Sequence, residues 1–249
     1  MSENISSNVL FHFTKSLDSI VDILTSGFYP HYCPEYSFGP LHDKTASSSM
    51  SPTHASPMIC FCDLPLSLIR KHLETYGNFG IGLKKAWGIK NGITPVLYIY
   101  KETQLFKALS NRMWAAVGER DEAANYDLKL SAAFLKPFRG NAWRDGKMKP
   151  DIHFYDEREW RYVPRLVPNE QVFLPRKDYT DKEKLARLHT SLKQKYKLTV
   201  HPDDIQYLIV PEDKHILELV KHLRKLYSQD NATLVTTAIM TIDCIHEDI

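Results

Sequence analysis

Between Val9 and Phe28 the hydrophobic pattern changes its period, and that change narrows the fold more than any other feature of the chain. "VLFHFT" (9–14) is a compact apolar run of strand length. It is followed by "SLDSIVDILTSGF", in which Leu17, Ile20, Val21 and Leu24 recur at the spacing of one helical face. Ser16 is placed to cap that helix and Gly27 to end it. The same alternation continues downstream. "MICFC" (58–62), "FGIGL" (79–83) and "TPVLYIY" (94–100) read as strands, with "KKAWGIKNG" as a turn between the last two. "DLPLSLIRKHLETYG" (63–77) reads as a helix with Asp63 as N-cap and Gly77 as its stop, putting Ile69, His72, Leu73 and Tyr76 on one face. Residues 102–136 have the composition of two helices divided near Gly118. After a Lys-rich helical stretch at 180–197, "DIQYLIV", the amphipathic run 211–227 and "TLVTTAIM" (233–240) spell a β-α-β unit. We therefore expect one α+β domain over 1–249, with a core at 9–175 and a C-terminal extension at 176–249. Residues 39–57, rich in Ser, Pro and Thr, are expected to form a flexible loop.

The composition allows a substantial core, with 43% hydrophobic and 11% aromatic residues among 249. A net charge of +2 creates no global basic field, so any contact with nucleic acid would need a local patch. Between Arg176 and Tyr227 there are twelve Lys/Arg against eight Asp/Glu, an excess spread over the solvated faces of two helices. No signal-peptide pattern opens the chain and no run approaches the ~18 apolar residues of a membrane span. A cytoplasmic protein that does not touch the membrane is the expectation. Four cysteines do not make a disulfide scaffold. The C-x-C spacing of Cys60 and Cys62, even with Cys33, is unlike a zinc knuckle, so no metal is expected.

The stretch "FYDEREWRYV" (154–163) sets the chemical question. Read as one strand, it places Glu157, Glu159 and Arg161 on one face and Arg158, Trp160 and Tyr162 on the other. Two carboxylates at this spacing repel unless a cation or ligand sits between them. The face is either a solvated surface or a carboxylate pair lining a cleft.

The blocks "LFHFT", "ILTSGF", "PMICFCDLPLS", "YGNFGIGL", "YDEREWRYVP" and "DIQYLIVPED" together resemble the AbiGi family of abortive phage-resistance proteins, which carries an antitoxin label. A strand with His12, a helix of the "ILTSGF" kind, a Gly/aromatic strand and a late strand with Glu also resemble the order of parts in ADP-ribosyltransferases. Glu157-Arg158-Glu159 matches the E-x-E signature of one branch. The Ser-Thr-Ser motif of that branch is missing. The second resemblance implies a split mixed or antiparallel sheet flanked by helices, with NAD as substrate. Glu159 would hold the nicotinamide ribose and Glu157 would orient the acceptor. His12, Thr14, Tyr76, Phe79 and Arg161 would contact the cofactor, and the glycines of "YGNFGIG" would let the backbone approach it. Two functions follow. One is an NAD-dependent effector that modifies a macromolecule, whether protein or nucleic acid. The other is an inactive antitoxin or sensor that binds a partner protein.

Overall fold

The computed structural model describes residues 6–35, 54–101, 103–117, 122–144, 147–167 and 170–248. In chain order the first elements are β1 (Val9–Thr14), α1 (Leu17–Ser26), β2 (His31–Glu35), β3 (His54–Cys62), α2 (Arg70–Tyr76) and β4 (Phe79–Lys84). Then come α3 (Lys85–Lys90), β5 (Thr94–Pro95), β6 (Leu97–Ile99), α4 (Gln104–Val117) and α5 (Glu122–Ala132). They are followed by β7 (Leu135–Pro137), β8 (Arg139–Arg144), β9 (Lys147–His153), β10 (Glu159–Tyr162) and β11 (Leu174–Pro175). The chain finishes with α6 (Arg176–Tyr179), α7 (Lys182–Lys195), β12 (Ile205–Val210), α8 (Asp213–Leu226), α9 (Gln229–Thr236), β13 (Ile239–Thr241) and α10 (Ile242–Asp248).

This is an α+β protein built on a mixed sheet with helices on both faces. The strand order is β13-β12-β4-β1-β3-β10-β5, with β2 and β11 paired to the first half of β3. All its pairings are antiparallel except β12 with β13. The larger core lies on the face where Leu10, Phe61, Ile81, Leu83 and Leu208 meet α1, α8 and Trp87. Leu219 and Leu223 of α8 are wholly buried there, as its helical spacing requires. On the other face Val9, Phe11 and Ile209 pack under Ile69 and Leu73. Gly80 and Gly82 belong to that second face, where a Cβ would come within 2.8 Å of the Phe13 ring or 2.7 Å of the Phe11 ring. The space that these glycines leave is thus filled by the protein's own aromatics, not kept open for a cofactor.

Local signals explain the elements that were read correctly. The Ser16 hydroxyl accepts from the Ser19 N–H, and Gly27, at φ 81°, ends α1. The two helices flanking Gly118 and the parallel strands of the C-terminal β-α-β unit are present as expected. That unit is joined directly to the main sheet, because β12 pairs along β4.

Several expectations are corrected. Residues 39–53 of the expected loop lie outside the described residues, while His54–Pro57 form the first half of β3. Asp63 does not cap a helix; a 3-10 turn at Leu66–Leu68 precedes α2. The Asp63 carboxylate accepts instead from Ser6, the Ser7 N–H and Lys85, which anchors the start of β1. "KKAWGIKNG" holds the helix α3, residues 94–100 divide into β5 and β6, and the first half of 233–240 belongs to α9, with β13 starting only at Ile239. Between β7 and the turn before β10 the chain adds a hairpin, β8 with β9, that no sequence pattern announced. Among the described residues no helix is long and apolar enough to cross a membrane.

Candidate functional site

Strand β1 pairs with β4 through all six of its residues but meets β3 at a single position, Phe11 opposite Cys62. Beyond that point the two strands diverge. His12 fills the opening, with its Nδ1 2.9 Å from the Cys60 carbonyl oxygen and its ring edge-on to Phe28 and Phe61. A carbonyl only accepts, so Nδ1 carries the proton. Burial pushes the His12 pKa down despite this bond, leaving a neutral ring whose Nε2 is an acceptor.

The glutamates reach the opening from the far side of β3. "FYDEREWRYV" is not one strand. Phe154–Glu157 form a 3-10 turn, Arg158 adopts a left-handed conformation at φ 44°, and only Glu159–Tyr162 pair with β3. Glu159 and Arg161 share a face by alternation, as expected, whereas Glu157 arrives there through the turn. Trp160 and Tyr162 pack on the larger core opposite, also as expected. Arg158 donates from Nε to the Asp63 carbonyl.

None of the three charged groups faces solvent: Glu157 and Glu159 are each 6% exposed and Arg161 is fully buried. A cation that the sequence reading missed joins them. Lys136 of β7 places its Nζ 2.6 Å from Glu157 and 2.5 Å from Glu159. Arg161 donates from Nε to Glu159 at 2.7 Å, from Nη1 to the Ala133 carbonyl, and from Nη2 to both Glu159 and Glu35. Three carboxylates and two cations therefore form one buried network. Burial alone would push Glu159 up, but Arg161 and Lys136 outweigh it and hold the carboxyl well below its usual range. Burial would likewise lower Lys136, and the two glutamates override it. Glu35, farther from compensation, is pushed up by burial. The Glu159 N–H also donates to the Tyr98 hydroxyl at 2.8 Å, tying β10 to β6.

Two cavities meet here, sharing His12, Cys33 and Cys60. The smaller, about 280 Å³, brings His12, His72, Tyr76, Lys136, Glu157 and Glu159 around one space. The larger, about 560 Å³, runs along α1 past Thr14, Asp22, Tyr29 and His31. Gly77 shapes the rim. At φ 125° it lets the end of α2 close on β1, where a Cβ would sit 2.2 Å from the Thr14 carbonyl oxygen. Of the expected cofactor contacts, His12, Thr14 and Tyr76 line this space. Phe79 lies among the core residues with its ring edge-on to His215, and Arg161 stands behind Glu159 with no exposed surface. Among the described residues no group of three or more His, Cys, Asp or Glu is arranged to hold a metal. A bond from Cys33 and burial push the Cys60 thiol up, and burial does the same to Cys62, so both favour the protonated form that metals bind poorly.

Lys136 had a faint sequence signal, a lone lysine between Leu135 and Pro137. Glu35 and Tyr98 had none, since their partners lie 126 and 61 residues away.

Comparison with known proteins places this geometry in a family context. Residues 26–211 match the family described as "Putative abortive phage resistance protein AbiGi, antitoxin". The chain is 28% identical over 219 residues to an abortive phage resistance protein AbiGi of Lactococcus lactis subsp. cremoris, an alignment covering 77% of this chain and 88% of that protein. No solved structure matches the chain.

Proposed function

The chain belongs to the AbiGi family of abortive phage resistance proteins, and on that premise we propose that it is the antitoxin of its system, acting by binding a partner toxin rather than by transferring ADP-ribose. The observation that carries this reading is the state of Glu159. Cleaving the bond between nicotinamide and ribose needs an uncompensated carboxylate beside the developing positive charge. Both oxygens of Glu159 already accept from cations, Oε1 from Arg161 and Oε2 from Lys136 and Arg161. Two positive charges within hydrogen-bond distance cancel the field that the reaction requires. The absent Ser-Thr-Ser motif agrees with this. The test is growth: the protein expressed alone should leave cells unaffected, and co-expression should lift the arrest caused by the toxin of the same system. Arrest by the protein alone, relieved by Glu159→Gln, would overturn the reading.

A second reading keeps NAD as a ligand, and one observation favours it: the cavity that unites His12, Tyr76, Glu157 and Glu159 continues into the larger space beside Thr14. Together the two are of the size range of cofactor pockets, roughly 300–1,000 Å³. In this reading a ribose hydroxyl donates to Nε2 of neutral His12 and Tyr76 stacks on a ring at the rim. Calorimetric titration with NAD separates the two. Binding lost in both His12→Ala and Tyr76→Ala would establish a ligand site, and accompanying nicotinamide release would restore the transferase. No heat at millimolar NAD would leave partner binding alone.

A further inference from the structure

One wall of the smaller cavity is built of hydrogen-bond acceptors. It joins His12 to Glu35, Glu157 and Glu159. The Nδ1 proton of His12 is spent on the Cys60 carbonyl, so Nε2 accepts, and among the described residues nothing donates to it. Lys136, the cation in this lining, already donates to both Glu157 and Glu159. The network behind the wall holds three carboxylates against two cations, and Glu35 is the least compensated of the three. Among the described residues its carboxylate accepts from Arg161 alone, through Oε1, while its side chain keeps 20% of its surface exposed. Burial pushes the Glu35 carboxyl up, as it does for a negative charge short of partners. Much of the remaining lining is aromatic. Tyr76, 39% exposed, stands at the rim with its ring 5.5 Å from that of His72, which in turn meets Phe13 at 6.2 Å. Ring faces beside a half-desolvated carboxylate are the surroundings that organic cations favour.

The hydrogen bonds already made select the shape of that cation. A guanidinium binds best as a planar fork on two oxygens of one carboxylate. Glu159 spends Oε1 on Arg161 and Oε2 on Lys136, Glu157 spends Oε2 on Lys136, and Glu35 spends Oε1 on Arg161. An ammonium is a point charge that needs only single acceptors, and Glu35 and Nε2 of His12 each supply one. Size agrees with charge. At about 280 Å³ the cavity falls below the roughly 300–1,000 Å³ of pockets that enclose whole small molecules, which leaves the scale of one long side chain. A lysine passing the Tyr76 ring buries its methylene stem while its head reaches the carboxylate.

We propose that the smaller cavity receives one lysine side chain of the partner toxin, whose ammonium donates to Glu35 and to Nε2 of His12 beside the Tyr76 ring. The proposal rests on the antitoxin reading and names the pocket by which the partner is held. Its test is calorimetric titration of the full chain with the purified toxin of the same system. Glu35→Gln keeps an oxygen for Arg161 but cannot ionise, and should weaken binding roughly tenfold, the loss of one charge-assisted hydrogen bond. Tyr76→Ala, at the exposed rim, should weaken it about threefold. Thermal unfolding of both variants should stay close to that of the wild type. A scan of the toxin's lysines to Met should find one whose loss matches that of Glu35→Gln, and combining the two changes should add little further. Arginine at that toxin position should not restore the affinity. Unchanged affinity in both cleft variants would overturn the proposal and leave the antitoxin reading standing. Dependence on a toxin arginine, with every lysine dispensable, would do the same. No heat with the wild type would overturn the antitoxin reading itself, and the proposal with it.

Discussion

The two flanks of β3 are held by opposite means. Toward β1 there is one paired position, then a gap filled by a neutral histidine and the rings of Phe28 and Phe61. Toward β10 there are four consecutive paired positions, backed by Arg161, Glu159 and Lys136. Ring packing is non-directional and tolerates displacement, while a buried ionic network holds only in one geometry. The comparison teaches where this sheet can adapt to a ligand. The β1 side can adjust, and the β10 side supplies a fixed wall.

The sharpest way to break the comparison is to remove one cation from the fixed wall. Arg161→Met should cost about 3–5 kcal/mol in urea unfolding, because Glu159 and Glu35 stay buried with less compensation. A loss under about 1 kcal/mol would show that Lys136 alone sustains the network and that the wall is no stiffer than the gap.

The next largest effect uses pH to separate the flanks. Burial pushes His31 down to about 4, helped by nearby His189, and pushes His12 down as well. A depressed histidine stays neutral when folded, while the unfolded chain takes up its proton below about 6.5. Stability from the gap side is therefore present above pH 6.5 and lost as pH falls from there toward 4. Discounted for the partial exposure of His31, this amounts to about 1–2 kcal/mol. Glu159 is held low, so its contribution is lost only as pH falls below the ordinary carboxylate range. Urea midpoints measured from pH 7 to 4 should fall in the wild type and stay flatter in a His12→Gln/His31→Gln variant. Identical slopes would mean that the gap side does not titrate with folding.

The smallest effect concerns the polar tether that His12 makes across the gap. His12→Phe keeps ring packing but strands the Cys60 carbonyl, and should cost about 1 kcal/mol. Amide exchange should quicken in β1 near Phe13 and leave β10 unchanged. Equal quickening in both strands would show that the two flanks open together.

Much of the frame was legible because local chemistry decided it. Ser16 and Gly27 bracket α1, and the alternation of "LFHFT" and "FGIGL" needs no distant partner to be read. The acidic site was legible only in part. Glu159, Arg161 and Trp160 alternate as a strand should, but Glu157 depends on Arg158 taking a left-handed conformation that a non-glycine residue seldom adopts. The question of what separates two close carboxylates was posed correctly by the sequence. Its answer, Lys136, comes from a separate two-stranded sheet, β6 with β7, whose position no local pattern encodes. His54–Pro57 were read as loop because proline and serine weaken a strand pattern, and only pairing with β2 and β11 makes them one.

The pairing of β12 along β4 also bears on how the protein is made. A ribosome delivers residues 79–84 long before residues 205–210, and β1 is already available to cover one side of β4. The other side has to wait for more than a hundred further residues of translation. Throughout that interval the nascent chain carries an unpaired apolar strand edge, the template on which β-aggregation starts. Synthesis of residues 85–210 is thus the vulnerable period, and a codon change that slowed it would lower the yield of folded protein without altering one residue.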